Sequence, residues 1–162
     1  MSKPRPPVTP AVRTLRNHDI RFDDHLYDYE EKGGTSHSAK SLGVDEHLVI
    51  KTLIMENEHH EPLIVLMHGD RQVSTKELAR MLGVKSIQPC APEVANRHSG
   101  YLVGGTSPLG TRHPMPVYIE ASILELPRIY LNGGKRGYLV SLDPQDLARV
   151  LKPTPVHVAI EG

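Results

Sequence analysis

A mixed α/β fold, α+β in character, with helices packed around a mixed sheet is what these 162 residues predict. Three observations carry the expectation. Apolar, β-branched runs bounded by polar segments recur along the chain and read as strands. Short segments carrying helix-capping chemistry lie among them. The two kinds of segment are interspersed without strict alternation, which favours a mixed sheet over a doubly wound parallel one.

Taken in order, residues 1–8 are polar and proline-rich and are expected to form a flexible arm ahead of one domain over residues 9–162. Thr9-Pro10 supplies an N-cap and a first helical position, and Ala11, Val12 and Leu15 give that helix an apolar face ending near Asn17. Ile20 to Tyr29 alternates imperfectly and predicts a strand, with Phe22 and Leu26 on one side and Tyr27 and Tyr29 on the other. Gly33-Gly34 breaks the chain, and a short helix from about Ser36 to Leu42 ends at Gly43. Val49 to Met55 and Leu63 to Met67 read as two central strands joined by a loop. Ser74-Thr75-Lys76-Glu77 fits a capping box and opens a helix with Leu78, Met81 and Leu82, closed by Gly83. A short strand is expected within Val84 to Gln88 and a helical turn from Pro92 through Ala95. Gly100 to Gly110 reads as a loop entered from a short strand. Three further strands are expected at Val117 to Glu120, Arg128 to Asn132 and Gly137 to Leu142. Asp143-Pro144 then starts a last helix with Leu147, Val150 and Leu151 inward.

Composition narrows the function classes. A domain of this length buries roughly 70% of its unfolded surface and needs no metal or disulfide to hold it. The one cysteine, Cys90, has no internal partner, and no signal-peptide pattern or apolar run of about 18 residues stands out, so a reducing cytoplasm is expected and a membrane is not. Nineteen Lys and Arg balance nineteen Asp and Glu, so any nucleic-acid contact must come from a local patch. There is no Trp and little aromatic content, which disfavours a base-stacking platform of the single-strand-binding type. The ten histidines show no metal-ligand spacing, and neither metal nor cofactor is expected.

Four places stand out chemically. Lys51 is a charge inside an apolar strand. Either its stem is buried with the head in water, or a phosphate or carboxylate sits near it. Gly104-Gly105, with Thr106, Ser107 and Pro108 after them, can bring backbone N–H groups close to a ligand oxygen, or can be an ordinary glycine-rich turn. Gly133-Gly134-Lys135-Arg136-Gly137 can hold phosphates, and can equally be a solvated hairpin turn. Cys90 has no assigned base and reads as a packing or surface cysteine.

Together, Thr9-Pro10-Ala11-Val12, the Tyr27 strand, Lys51-Thr52-Leu53, Ala95-Asn96-Arg97, Gly100 to Gly110 and Gly133 to Gly137 resemble the YbaK/ProX (YbaK/EbsC) family of aminoacyl-tRNA deacylases, near its Cys-tRNA(Pro)/Cys-tRNA branch. The resemblance spans about residues 9 to 151. It implies a partly barrel-like mixed sheet and release of a mischarged small amino acid from the 3′ end of tRNA, with prolyl-tRNA synthetase as a possible partner and no DNA. It also implies that Lys51 is the key lysine near the terminal adenosine, that Tyr27 and Thr52 line the pocket, and that Gly104 faces the scissile ester. One position departs from the family. Cysteinyl-type members carry an Asp where this chain has Leu139. That departure supports one alternative, a non-catalytic tRNA- or synthetase-binding module; the other is a small-molecule-binding regulatory protein using the same pocket.

Overall fold

The computed structural model describes residues 5–162. Residues 1–4 of the expected arm lie outside the described residues, and residues 5–8 belong to no helix or strand. The first helix, α1 (Pro10–Asn17), starts where its capping chemistry places it. The Thr9 hydroxyl accepts from the Val12 N–H at 3.1 Å, and Ala11, Val12 and Leu15 are buried. The strand expected from Ile20 is shorter, β1 (Asp23–Leu26). Its early start fails because the Ile20 N–H closes the end of α1 on the Leu15 carbonyl at 3.0 Å, and so cannot enter a ladder.

Helix α2 (Gly34–Leu42) ends at Gly43, whose left-handed φ of 68° is the conformation glycine favours. Strands β2 (Ile50–Asn57) and β3 (Pro62–His68) form the expected hairpin, with Lys51 opposite Met67 and Thr52 opposite Leu66. A three-residue strand not foreseen from sequence, β4 (Arg71–Val73), follows. Helix α3 (Thr75–Leu82) is capped by Ser74, which accepts from the Glu77 N–H at 3.2 Å. The return half of the capping box is absent, because the Ser74 N–H donates to the Val158 carbonyl at 2.7 Å instead. Met81, expected on the packed face, is 51% exposed.

Beyond β5 (Ile87–Pro89), α4 (Pro92–Ser99) is two turns long, so the glycine-rich segment is entered from a helix and not from a strand. Gly100 closes α4 at φ 81°. Then come β6 (Val117–Glu120), β7 (Ile129–Lys135), β8 (Tyr138–Leu142), α5 (Pro144–Leu151), and two more short strands, β9 (Thr154–Val156) and β10 (Ala159–Glu161).

The strands form three sheets. One is five-stranded and mixed, in the order β5-β2-β3-β6-β9, antiparallel at its centre and parallel from β3 through β6 to β9. A second is antiparallel, β1-β8-β7, and a third pairs β10 with β4. A single parallel bridge between Val49 and Tyr130 joins the first two. The mixed sheet with surrounding helices is as expected, while its barrel-like character stops at this one bridge and no closed barrel forms among the described residues. Strand alternation divides the core. Ile50, Ile54, Ile64 and Leu66 face α1, Tyr101 and Leu131, whereas Met55, Leu63, Val65 and Met67 face Leu78 of α3. A small third cluster, Ala39, Val49 and Leu139 with Tyr27 and Tyr130 against it, fills the junction of the first two sheets.

Candidate functional site

Two glycine-rich segments far apart in sequence meet in space. In β7 the ladder to β8 slips between Asn132 and Lys135, which lifts Gly133 and Gly134 out of register. The Asn132 side chain shapes this turn, its oxygen accepting from the Gly134 and Lys135 N–H groups at 2.8 and 3.1 Å. Its amide donates across to the Gly104 carbonyl at 2.9 Å. Arg136 donates from Nε to the Val103 carbonyl at 2.9 Å, and its guanidinium lies 5.3 Å from the Tyr29 ring centroid. A Cβ on Gly105 would come 2.8 Å from the Arg136 nitrogen, so only glycine lets the two segments approach this closely. Thr9 pins the same turn by donating to the Gly133 carbonyl, and a Cβ on Gly134 would strike the Tyr101 ring at 2.7 Å.

Within the loop, Gly104 is exposed at φ 94° beside the Tyr29 hydroxyl, and its N–H has no intramolecular acceptor among the described residues. Gly105 differs. It is buried and its N–H donates to the Leu102 carbonyl at 2.8 Å, so the expected pair of backbone donors reduces to Gly104 alone. Thr106 donates to the Leu102 carbonyl at 3.5 Å. Ser107 and Pro108 are buried, and Ser107 Oγ accepts from the Leu109 N–H at 3.1 Å, so these side chains build the loop. Lys135 and Arg136 are exposed cations at the rim.

Tyr27 joins the glycine turn to the residue that precedes β2. Its N–H donates to the Gly137 carbonyl at 3.0 Å, while its ring packs with Val49 and Leu139 and lies 5.9 Å from the His37 ring. Burial raises the Tyr27 phenol above its ordinary pKa, so it is a hydrogen-bonding group rather than an anion. Lys51 is the second residue of β2, two beyond Val49. It is half-buried, and its ammonium donates to the Arg71 carbonyl. Desolvation lowers the Lys51 pKa, while the Glu46 and Asp70 carboxylates act against that. No hydrogen bond or ion pair joins Lys51 to the Gly104 loop among the described residues. Thr52 points to the opposite face from Lys51, and its buried Oγ1 has no hydrogen-bond partner. Leu139 is 4% exposed in an apolar cluster, and the charges of Glu46 and Asp70 are what favour the Lys51 ammonium against its desolvation.

Cys90 is half-buried, and its thiol is pushed up to about 12 by desolvation and by hydrogen bonding to Glu56. It is therefore a thiol and no nucleophile at neutral pH. Among the described residues no three His, Cys, Asp or Glu side chains are grouped to hold a metal, and no helix is long and apolar enough to cross a membrane. Tyr29, Asn132, Glu46 and Asp70 were not singled out from sequence. Asn132 was the most findable, since Asn before Gly-Gly is a turn signal in which the side chain bonds the backbone two residues on.

Residues 30–150 match the model of a family described as an aminoacyl-tRNA editing domain. The candidate Cys-tRNA(Pro)/Cys-tRNA(Cys) deacylase EbsC of Enterococcus faecalis is 26% identical over 138 residues, which cover 85% of this chain and 84% of that protein. The proline–tRNA ligase of Thermodesulfovibrio yellowstonii is 34% identical over 108 residues, 67% of this chain but 18% of the ligase. Among solved structures, a candidate trans-editing enzyme for prolyl-tRNA synthetase superposes with a TM-score of 0.80 at 18% identity, covering 95% of this chain and 99% of that one. A hypothetical protein superposes at 0.85 and 18% identity, covering 94% and 100%. These two likenesses speak for the fold.

Proposed function

Because the chain belongs to the aminoacyl-tRNA editing domain family, we propose that it is a trans-acting deacylase that clears a mischarged small amino acid, cysteine foremost, from tRNA(Pro) or a related tRNA. The observation that carries this reading is the meeting of the Gly104 loop, the Gly133 to Gly137 turn and the Tyr27–Tyr29 segment in one exposed place. Two relatives support it. EbsC matches over most of its length, and the proline–tRNA ligase matches over a segment only. The second likeness also supports prolyl-tRNA synthetase as a partner. The expected setting is the cytoplasm, with residues 9–162 acting as one domain.

The chemistry asks little of the protein. An aminoacyl ester is already activated, so orientation and stabilisation of the developing oxyanion suffice. Water adds to the ester carbonyl, the bond to the ribose oxygen breaks, and that oxygen takes a proton as the amino acid leaves. With a cysteinyl substrate the thiol sulfur can form the new bond to the carbonyl instead, its proton ending on the ribose oxygen. The Gly104 N–H is the group for the oxyanion. Lys51, Lys135 and Arg136 are the cations for the terminal phosphates and ribose. Tyr27 and Thr106 are the pocket groups, the buried Ser107 and Pro108 shape the loop that carries Gly104, and Thr52 packs behind on the opposite face of β2 from Lys51. Discrimination by a synthetase pocket is weak for amino acids differing by a methylene, about 1–3 kcal/mol, which is the deficit a second site corrects.

The test is a panel of cysteinyl-, alanyl- and prolyl-tRNAs. Ester loss above spontaneous decay, greatest for cysteinyl-tRNA, is expected. Loss from none of them, with tRNA still bound, would make the chain a binding module, the reading that Leu139 favours.

A further inference from the structure

The segments that build the glycine loops are free of acid. Residues 94–119 and 126–142 hold none of the nineteen Asp and Glu, although they make up over a quarter of the chain. Their Lys and Arg residues are Arg97, Arg112, Arg128, Lys135 and Arg136. Arg128 is taken up by Asp23, and Lys135 and Arg136 stand at the loop rim, which leaves Arg97 and Arg112. The fold brings these two to the foot of the Gly104 loop. The Arg112 N–H donates to the Ser99 carbonyl at 3.0 Å and the His113 N–H to the His98 carbonyl at 3.1 Å, so residues 112–113 lie alongside the end of α4. The His98 and His113 rings meet edge to face, 6.1 Å apart. The Arg112 side chain folds over Gly100, its Nε 3.7 Å from where a Cβ would stand. Gly100 still donates to the Asn96 carbonyl at 2.9 Å, so it closes the last turn one row beyond Arg97. Both arginines are exposed. Arginine ion pairs among the described residues are those of Arg80, Arg128 and Arg149, and neither Arg97 nor Arg112 is in one. His98 adds no charge of its own, because desolvation foremost, and the Arg97 charge after it, lower its pKa. Asn96 ties the patch to the site. Its side-chain oxygen accepts from the Val103 N–H at 2.9 Å, and the Val103 carbonyl accepts from Arg136.

We propose that Arg97 and Arg112 form a second phosphate-binding patch, which takes the backbone of the single-stranded RNA behind the terminal nucleotide whose ester lies at Gly104. The proposal rests on the deacylase reading for the position of that terminal nucleotide. Gly100 precedes Gly104 by four residues, so the Arg112 side chain begins within about 14 Å of the Gly104 N–H. A stacked strand rises about 3.4 Å per nucleotide, so this span covers about four nucleotides. Balanced total charge gives no long-range pull, and segments without carboxylates leave these cations free to act on phosphate. The guanidinium suits the task, since its planar fork meets two phosphate oxygens at once. Arg97 also complements the dipole at the end of α4, but Arg112 lies outside any helix, so helix capping does not account for the pair.

The test is the salt dependence of binding to uncharged tRNA(Pro). Arg97→Ala/Arg112→Ala should flatten the slope of log K against log salt by about 1.4, so that about sevenfold less affinity is lost between roughly 50 and 200 mM salt. Arg97→Lys/Arg112→Lys keeps both charges and should restore the slope. Arg80→Ala/Arg149→Ala removes the same net charge from α3 and α5 and should leave the slope as it is in wild type. On tRNA lacking its last four nucleotides, wild type and Arg97→Ala/Arg112→Ala should have equal slopes. An unchanged slope in the Arg97 and Arg112 alanine variant, a slope that the lysines do not restore, an equal flattening in the Arg80 and Arg149 control, or a difference that survives the truncation would each overturn the proposal. Turnover of cysteinyl-tRNA by wild type decides the deacylase reading separately. No turnover, with a slope that still depends on Arg97 and Arg112, keeps the patch and removes that reading.

Discussion

At Gly104 a hydrogen in place of a side chain leaves the backbone clear of the Tyr29 hydroxyl. Its φ of 94° strains any L side chain, and a Cβ there would stand 2.5 Å from the Tyr29 hydroxyl. Gly104→Ala is therefore expected to turn the one unengaged N–H of the Gly104-Gly105 pair and to lower deacylation by roughly a hundredfold, the scale of losing one oxyanion donor. Single-turnover ester release from cysteinyl-tRNA checks it. The double variant Gly104→Ala/Tyr29→Ala removes the clash but not the φ strain, so it should stay slow if the direction of the N–H is what matters. Cys90 is the opposite case. Its thiol pKa near 12 and its contact with Glu56 leave it no role as an attacking group. Cys90→Ser should keep near-normal turnover in the same assay, and a drop of several hundredfold in a folded variant would expose a missed nucleophile.

At the scale of elements, Thr9 does two jobs at once. It caps α1 through Val12, and its hydroxyl donates to Gly133, tying the helix start to the glycine turn. Thr9→Ala should cost about 1–2 kcal/mol in denaturant unfolding and loosen the turn, while Thr9→Ser should restore most of both. Capped elements of this kind were legible in the sequence because capping is local: Thr9-Pro10, Ser74 and Asp143-Pro144 each begin a helix as read. The hairpin of β2 and β3 was legible for the same reason. Strands β4, β9 and β10 were not, since three residues carry no period and exist only through their distant partners. The end of α4 was hidden by its polar run Asn96 to Ser99, which no apolar stripe marks and which Gly100 terminates. In the site, the glycine segments announced themselves by composition. The charges that act on Lys51 did not, because Glu46 lies five residues before it and Asp70 nineteen after it, with no motif joining them.

For the whole molecule, charge is balanced, so attraction to tRNA must be local. With Lys51, Lys135 and Arg136 as phosphate contacts, log K for tRNA binding should fall with log salt at a slope of about −0.7 per contact, roughly −2 for the three. Removing Lys135 alone should reduce the slope by one such step in a salt titration. A flat response would remove all three from the interface. The central claim is that this fold brings Lys51 and the Gly104 loop to bear on the same aminoacyl ester. Misplacing a reacting group by about 1 Å costs on the order of a hundredfold in rate, and the lysine head contributes no core packing. The most direct measurement is the single-turnover rate of ester loss from cysteinyl-tRNA for the wild type and Lys51→Ala, with thermal melts of both. The account predicts a wild-type rate well above spontaneous decay, a loss of about a hundredfold in Lys51→Ala, and matching melts. Equal rates for two equally stable proteins would contradict it.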